Sequence, residues 1–292
     1  MNRYHSLFFQ VKVYTVFLIT AVRRISFDAT GHSCYPASKI NQGEPMKPIT
    51  IDPEKCTRDG ICVKACPAAV IELISQKELP TPVKDFEEYC LACGHCVAVC
   101  PTGAFNLDWL TTGHCPSISR ELDLGRDQAE QFLRSRRSVR NFKDKPVERD
   151  KLEKLLEIAC YAPSAKNSQP WHWTVVENPA DVKKMAGMVI DWMRSVIKKF
   201  PQQAEERGLP RVVDAWDGGQ ERICRGAPHM IVVHGDKDYV LGAEDCATAL
   251  SYLELYAPTL GLGSCWGGYF FSAVNSYPPL CEALGIPADH KA

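Results

Sequence analysis

Cys90, Cys93, Cys96 and Cys100, followed by Pro101, form the pattern C-x2-C-x2-C-x3-C-P. Four thiols packed this closely do not pair conveniently as disulfides, because consecutive sulfurs converge on one point. Soft thiolates at this spacing suit an iron–sulfur cubane. Gly94 allows the tight turn such a loop needs, and Pro101 ends it while removing a backbone donor. The plainer readings are a zinc knuckle or a chance grouping. A related run upstream weighs against both. There Cys56, Cys62, Cys66 and Pro67 repeat the pattern, with Asp59 where the second cysteine would stand.

A different chemistry is written further along. Arg136, Arg137, Ser138 and Arg140 place three guanidinium groups and a hydroxyl within five residues. Arginine forks match phosphate oxygens bidentately, although a solvated basic turn is the simpler reading of this segment alone. Pro163, Ser164 and Ala165 are small enough to let a ligand approach closely. Asn167 and Gln169 can satisfy the polar edge of a planar group. The stretch from Gly263 through Cys265, Trp266, Gly267 and Gly268 is a second place where backbone can lie against a flat ring. Trp171, Trp173 and Trp266 supply apolar surface or simply pack in the core.

The elements that must hold these groups follow from periodicity. Ile49–Asp52 reads as a short strand. Ala68–Leu73 reads as a helix and strand, and the segment from Thr102 to Leu107 repeats the same turn and strand, so residues 46–107 look duplicated. Phe132 and Leu133 sit on a short helix. Leu152, Leu155, Leu156 and Ala159 mark the apolar face of another. Thr174–Glu177 is a strand, followed by a long helix with Val182, Met185, Val189, Trp192 and Val196 on one face. Residues 201–222 read as a polar, Gly-rich loop or lid. Pro228–His234 is a buried strand and Glu244–Leu260 a helix. The Gly-rich stretch is expected to turn into a further strand, and Gly285-Ile-Pro287 ends a last helix.

Composition limits the alternatives. The chain has 292 residues, 45% of them hydrophobic, which allows roughly two domains. Its 34 basic and 35 acidic residues leave a net charge of −1, so nucleic-acid binding has no support. Of fourteen cysteines, seven fall between Cys56 and Cys100. That is metal spacing rather than a secreted disulfide framework, and a reducing cytoplasmic compartment fits it. Leu7–Val22 is mostly apolar but short for a membrane span. Residues 1–45 therefore read as an upstream extension, with Met46 as a natural start, or as a weak anchor.

Residues 46–107 resemble the two-cluster bacterial ferredoxins. In that family the fourth cysteine of each run ligates the other cluster. The resemblance implies one [4Fe–4S] cluster on Cys66, Cys90, Cys93 and Cys96. It implies a second on Cys56, Cys62 and Cys100, with Asp59 either as a fourth ligand or as a loop acid beside a [3Fe–4S] cluster. Residues 130–292 resemble the FMN-dependent nitroreductases, through Arg136–Arg140, Asn167-Ser-Gln-Pro-Trp171 and Gly261-Leu-Gly-Ser-Cys-Trp266-Gly. That resemblance implies an FMN held by Arg136, Arg137, Ser138 and Arg140 at the phosphate, ribityl and ring edge. Asn167 and Gln169 would meet the ring, the Pro163–Ala165 turn a partner subunit's flavin, and Cys265–Gly268 the ring's reactive side. Members of the family usually continue into a further strand and an arm around the partner, which this sequence lacks.

The expected fold class is α+β: a ferredoxin-like two-cluster iron–sulfur domain followed by a nitroreductase-type three-layer α/β/α sandwich. The expected divisions are 1–45 as extension, 46–112 as the iron–sulfur domain, 113–127 as linker and 128–292 as the FMN domain. The implied activity is an FMN-dependent, nitroreductase-like oxidoreductase. It would pass single electrons between clusters and FMN and reduce a small organic acceptor: a nitroaromatic, a quinone or an activated alkene. Ferredoxin or NAD(P)H would donate, in a homodimer. No G-x-G-x-x-G fingerprint marks a separate nucleotide domain. No catalytic side chain is assigned, because solvent can protonate at the flavin edge; His172 reads more simply as a structural histidine. The rival reading is a non-catalytic flavin and iron–sulfur carrier serving a partner protein.

Overall fold

The computed structural model describes residues 16–17 and 49–292. The proposed start at Met46 and all of the 7–22 stretch except Val16–Phe17 lie outside the described residues. Among the described residues no helix is long and apolar enough to cross a membrane. The chain divides into two compact units. One contains strand β1 (Val16–Phe17), Glu130–Pro163 and Pro170–Ala292. The other runs through Ala129 and also takes in Ser164–Gln169, six residues that sequence reasoning had placed in the FMN domain.

The cysteine-rich unit is built of very short elements: β2 (Thr50–Ile51), α1 (Ile61–Lys64), β3 (Ile71–Glu72), β4 (Thr81–Pro82), α2 (Phe86–Tyr89), α3 (His95–Ala98) and β5 (Phe105–Asn106). β2 pairs antiparallel with β5, and β3 with β4. The internal duplication is visible in the backbone. Left-handed φ values recur at equivalent positions of the two runs: Arg58 and Ala92, Gly60 and Gly94, Ala69 and Gly103. Each pair bends the chain at the same place around its loop. Between the loops lies a small core that includes Val70, Ile71, Phe86, Val97, Phe105 and Leu110.

The larger unit follows α4 (Arg126–Ser135) with α5 (Arg149–Ala159), β6 (His172–Val176), α6 (Pro179–Lys199), α7 (Pro201–Glu206) and α8 (Leu209–Asp217). Then come β7 (Met230–Asp236), α9 (Gly242–Tyr256), α10 (Gly268–Val274), α11 (Pro278–Leu284) and β8 (His290–Lys291). β7 is the centre of the sheet. It pairs antiparallel with β6 along its length, and β1 and β8 pair with it as well. Its residues from Met230 to Gly235 are all buried, as expected of a strand covered on both faces. Met230 and Val232 point into a core shared with α6, α7, α8, α10 and α11. Ile231 and Val233 point into a second core with α5 and α9. Two cores on opposite faces of one sheet make the three-layer arrangement.

Two expectations are corrected. Residues 201–222 are not a polar loop: α7 and α8 account for most of them. Ala204, Leu209, Val212 and Val213 are buried at helical spacing, Pro201 and Pro210 sit in first turns where proline is tolerated, and Gly208 at φ 65° makes the joint. The stretch after Gly267 is likewise a helix, α10, rather than a strand. Its buried Phe270, Ala273 and Val274 recur at i, i+3 and i+4, and a short apolar run of this kind does not distinguish helix from strand by itself. Full burial of Phe270 alone stabilises the unit by roughly 1.5–3 kcal/mol.

Cys160 is disulfide-bonded, whereas the other described cysteines are free. Two histidines, His229 and His234, are buried and form no ion pair among the described residues. His229 accepts a hydrogen bond from the Val147 amide at 3.4 Å, and burial pushes its pKa down to about 2. His234 is lowered to about 4, by burial first and then by His290 and His172, which stand beside it. Both folded values lie below the unfolded value of about 6.5. The unfolded chain therefore binds more protons below that pH, and stability is lost as the pH falls through it. Thermal melting should show a fall in Tm between pH 7.5 and 5.5 that is smaller in His229→Gln than in the parent protein.

Candidate functional site

The fold sorts the cysteines into two recesses. The lining of one includes Cys56, Asp59, Cys62 and Cys100. The lining of the other includes Cys66, Cys90, Cys93 and Cys96. Cys66 comes from the first run but lines the second recess, and Cys100 does the reverse. The antiparallel pairing of β2 with β5 and the matched loop bends bring each fourth cysteine across. The donor sets, three thiols with a carboxylate and four thiols, fit iron–sulfur chemistry. Among the described residues no three His, Cys, Asp or Glu side chains converge as a single ion requires.

Their protonation follows from burial. Cys96 is pushed up to about 12 by burial, with Cys93, Cys90 and Cys66 adding to the effect. Burial also raises Cys62 and Cys90. Burial acts on Cys100 in the same direction, but amide donors from Phe105, Ala104 and Thr102, with the Thr102 hydroxyl at 3.8 Å, outweigh it and leave that thiol lowered. Iron binding must displace protons from the raised thiols, so metal affinity depends on pH.

Asp59 is engaged locally as well as lining the recess. Its Oδ1 accepts from the Ile61 amide at 2.9 Å and its Oδ2 from the Thr57 hydroxyl at 2.8 Å. Those two bonds, the amide first, hold its carboxyl below the usual range, so it is ionised. It thereby satisfies an otherwise unpaired donor at the start of α1.

In the larger unit, Arg136 is the best-held of the arginines. Its Nη1 lies 3.1 Å from Glu254 Oε1 on α9, while the other carboxylate oxygen accepts from Trp266 Nε1 at 2.8 Å. Glu254 is buried. One acid thus joins the arginine turn to the Gly-rich stretch. Sequence reasoning missed it, although an acid set directly between Leu253 and Leu255, on the apolar second half of α9, was a usable signal. The same two segments meet again where the Val139 amide donates to Ser264 O at 2.9 Å. A Cβ on Gly263 would lie 2.8 Å from Val139, so glycine is needed there for close approach. Arg137 donates to the carbonyls of Arg134 and Arg136 at 2.8 Å, capping the C-terminus of α4. Arg140 is exposed, Ser138 half-buried, and Cys265 buried. Gly267 is buried; Gly268 faces open space.

The remaining predicted contacts lie elsewhere. Ser164, Ala165, Asn167 and Gln169 are half-buried and belong to the iron–sulfur unit, while Pro163 is exposed. Ser164 Oγ accepts from the Gln169 amide at 3.0 Å. The Asn167 side chain donates to the carbonyl of Cys93 at 3.1 Å rather than standing free for a ligand. His172 packs against His234 and His290, consistent with a structural role.

The two loop glycines make a matched test. Gly60 and Gly94 hold φ of 72° and 74°, so an added Cβ strains either by about 1–2 kcal/mol. At Gly60 that Cβ would have room, its nearest neighbour being 3.6 Å away, whereas at Gly94 it would meet Leu110 at 2.7 Å. Gly94→Ala should therefore lower bound iron and acid-labile sulfide, measured after anaerobic reconstitution, more than Gly60→Ala does.

The comparisons with known proteins follow the same division. The model of the nitroreductase family matches residues 133–292, and a 4Fe-4S dicluster domain matches residues 48–101. A protein of Archaeoglobus fulgidus with the provisional name NADH dehydrogenase/NAD(P)H nitroreductase is 30% identical over 166 residues, covering 55% of this chain and 78% of that protein. The 5,6-dimethylbenzimidazole synthase of Rhodospirillum rubrum is 36% identical over 177 residues, covering 56% and 77%. A solved nitroreductase with bound FMN from Bacteroides fragilis is 26% identical, with a TM-score of 0.47, over 56% of this chain and 83% of that one. The match over more than half its length shows that this chain belongs to the nitroreductase family, with a 4Fe-4S dicluster domain ahead of its nitroreductase domain.

Proposed function

We propose that this protein takes electrons singly at two iron–sulfur centres, passes them to FMN, and reduces a small organic acceptor such as a nitroaromatic, a quinone or an activated alkene. The observation that carries the reading is the sorting of cysteines into two recesses in a chain whose other unit is a nitroreductase domain. FMN, when bound, supplies a carrier that handles electrons one or two at a time; the protein positions it and tunes its electronics.

The chain's own residues then have distinct tasks. Arg140, exposed on the turn, offers a bidentate fork to phosphate oxygens. Ser138 adds a hydroxyl beside it. Arg136 is fixed by Glu254, which keeps the turn in place whether or not its guanidinium touches the ligand. The backbone of Cys265–Gly268 gives a surface on which a ring can lie, with no side chain at Gly268 to exclude it. Cys66, Cys90, Cys93 and Cys96 hold one centre; Cys56, Cys62 and Cys100 hold the other, with Asp59 beside it. Reduced ferredoxin or NAD(P)H is the donor. A homodimer is the proposed assembly. Helix α4 supports it, since its apolar Ala129, Phe132 and Leu133 share one stripe and none is buried.

Anaerobic purification with iron, sulfide and flavin analysis tests the reading, followed by turnover with reduced ferredoxin and with NAD(P)H. Flavin retention tests the arginine turn. Arg140→Ala should lose FMN on gel filtration, whereas Arg149→Ala, which removes only an exposed pair with Glu153, should retain it. Equal retention in the two variants would move the phosphate site elsewhere.

A further inference from the structure

The segment Ser164–Gln169 closes on itself. The Asn167 amide donates to Ser164 O, the Ser168 amide to Ala165 O and the Gln169 amide to Ser164 Oγ, each at 3.0 Å. Lys166, Asn167 and Gln169 hold φ of 57°, 54° and 45°. Non-glycine residues in this region are strained, asparagine least among them, and such strain persists only where the surroundings hold it in place. What holds it here is visible at Asn167. Its Nδ2 reaches out of the segment to the carbonyl oxygen of Cys93, 3.1 Å away and partly buried. Cys93 lines the four-cysteine recess. The six residues are, accordingly, part of the iron–sulfur unit rather than of the unit that flanks them in sequence.

We propose that Asn167 is a positioning residue for the four-cysteine centre, acting through the carbonyl of Cys93 on the loop that carries the ligand thiolates. The inference rests on the reading that Cys66, Cys90, Cys93 and Cys96 hold an iron–sulfur cluster. The physical grounds are two. The bond fixes the peptide that carries a ligand thiolate, and with it the direction in which that thiolate points. A donor aimed at that peptide also draws electron density from the ligand loop, and hydrogen bonding of this kind is one of the levers on cluster potential.

The test compares the parent holoprotein with Asn167→Gly and Asn167→Asp. Glycine accepts the left-handed backbone without strain but has no donor; aspartate keeps the shape and tolerates the backbone but cannot donate. Redox titration followed by electron paramagnetic resonance reads the potential of each centre, and iron and acid-labile sulfide analysis reads its occupancy. In both variants the four-cysteine centre should shift in potential while the three-cysteine centre stays put, at unchanged iron content. Unchanged potentials would overturn the proposal, as would a shift confined to the three-cysteine centre. Equal shifts in both centres would also overturn it, making the effect a general loosening of the unit. If the parent protein held no iron and sulfide, the functional reading would fail, and that failure would be read before any variant is compared.

Discussion

The exchange of one cysteine between two copies of the same loop is the constraint on which the iron–sulfur unit depends. Cys66 and Cys100 each close the recess that the other run begins. Neither run can complete a donor set alone, so the unit must fold as a whole. Its strands are two residues long and its helices four, far too short to be stable by themselves. What holds them is a small shared core and, when iron is bound, the bonds to sulfur. Metal binding free energy in such a domain is folding free energy. The same logic explains the repeated left-handed residues at Arg58 and Ala92 and at Gly60 and Gly94. The chain must bend identically twice to present its thiols to two separate recesses.

The nitroreductase unit rests on ordinary packing. β7 is buried on both faces, α5 and α9 cover one side, and α6 with the later helices covers the other. Against that background Glu254 is the exception. A buried carboxylate is costly unless paired, and here it is satisfied from two directions by Arg136 and Trp266. The return is geometric. Two segments far apart in sequence, the arginine turn and the Gly-rich stretch, are held in one register, and the Val139–Ser264 bond and the close approach at Gly263 reinforce it.

Much of this was legible in the sequence, for reasons specific to the residues. Cysteine spacing is a direct record of ligand geometry, so the sorting of the thiols could be anticipated from the family resemblance. The faces of α5 and α6 could be read from their apolar periods, because Leu152, Leu155 and Leu156, and Val182, Met185 and Val189, are all buried. Less legible were features that depend on partners distant in the chain. The 201–222 stretch looked polar because its surface residues outnumber the few that bury. The run after Gly267 was too short for its period to separate helix from strand. Glu254 and Asn167 were opaque for a common reason: each acts through hydrogen bonding to other segments of the chain, and no local pattern announces such bonds. The reassignment of Ser164–Gln169 to the iron–sulfur unit follows from the same kind of contact.

The central claim is that the two runs trade their fourth cysteines to make two centres, one with four thiols and one with three. The most direct measurement is the electron paramagnetic resonance and iron content of anaerobically prepared Cys66→Ser and Cys100→Ser proteins. The account predicts that Cys66→Ser disturbs the centre held by Cys90, Cys93 and Cys96, in the other run, and leaves the signal of the Asp59-bearing centre intact. Cys100→Ser should do the converse. If each substitution instead perturbed only the centre of its own run, the crossed arrangement would be contradicted.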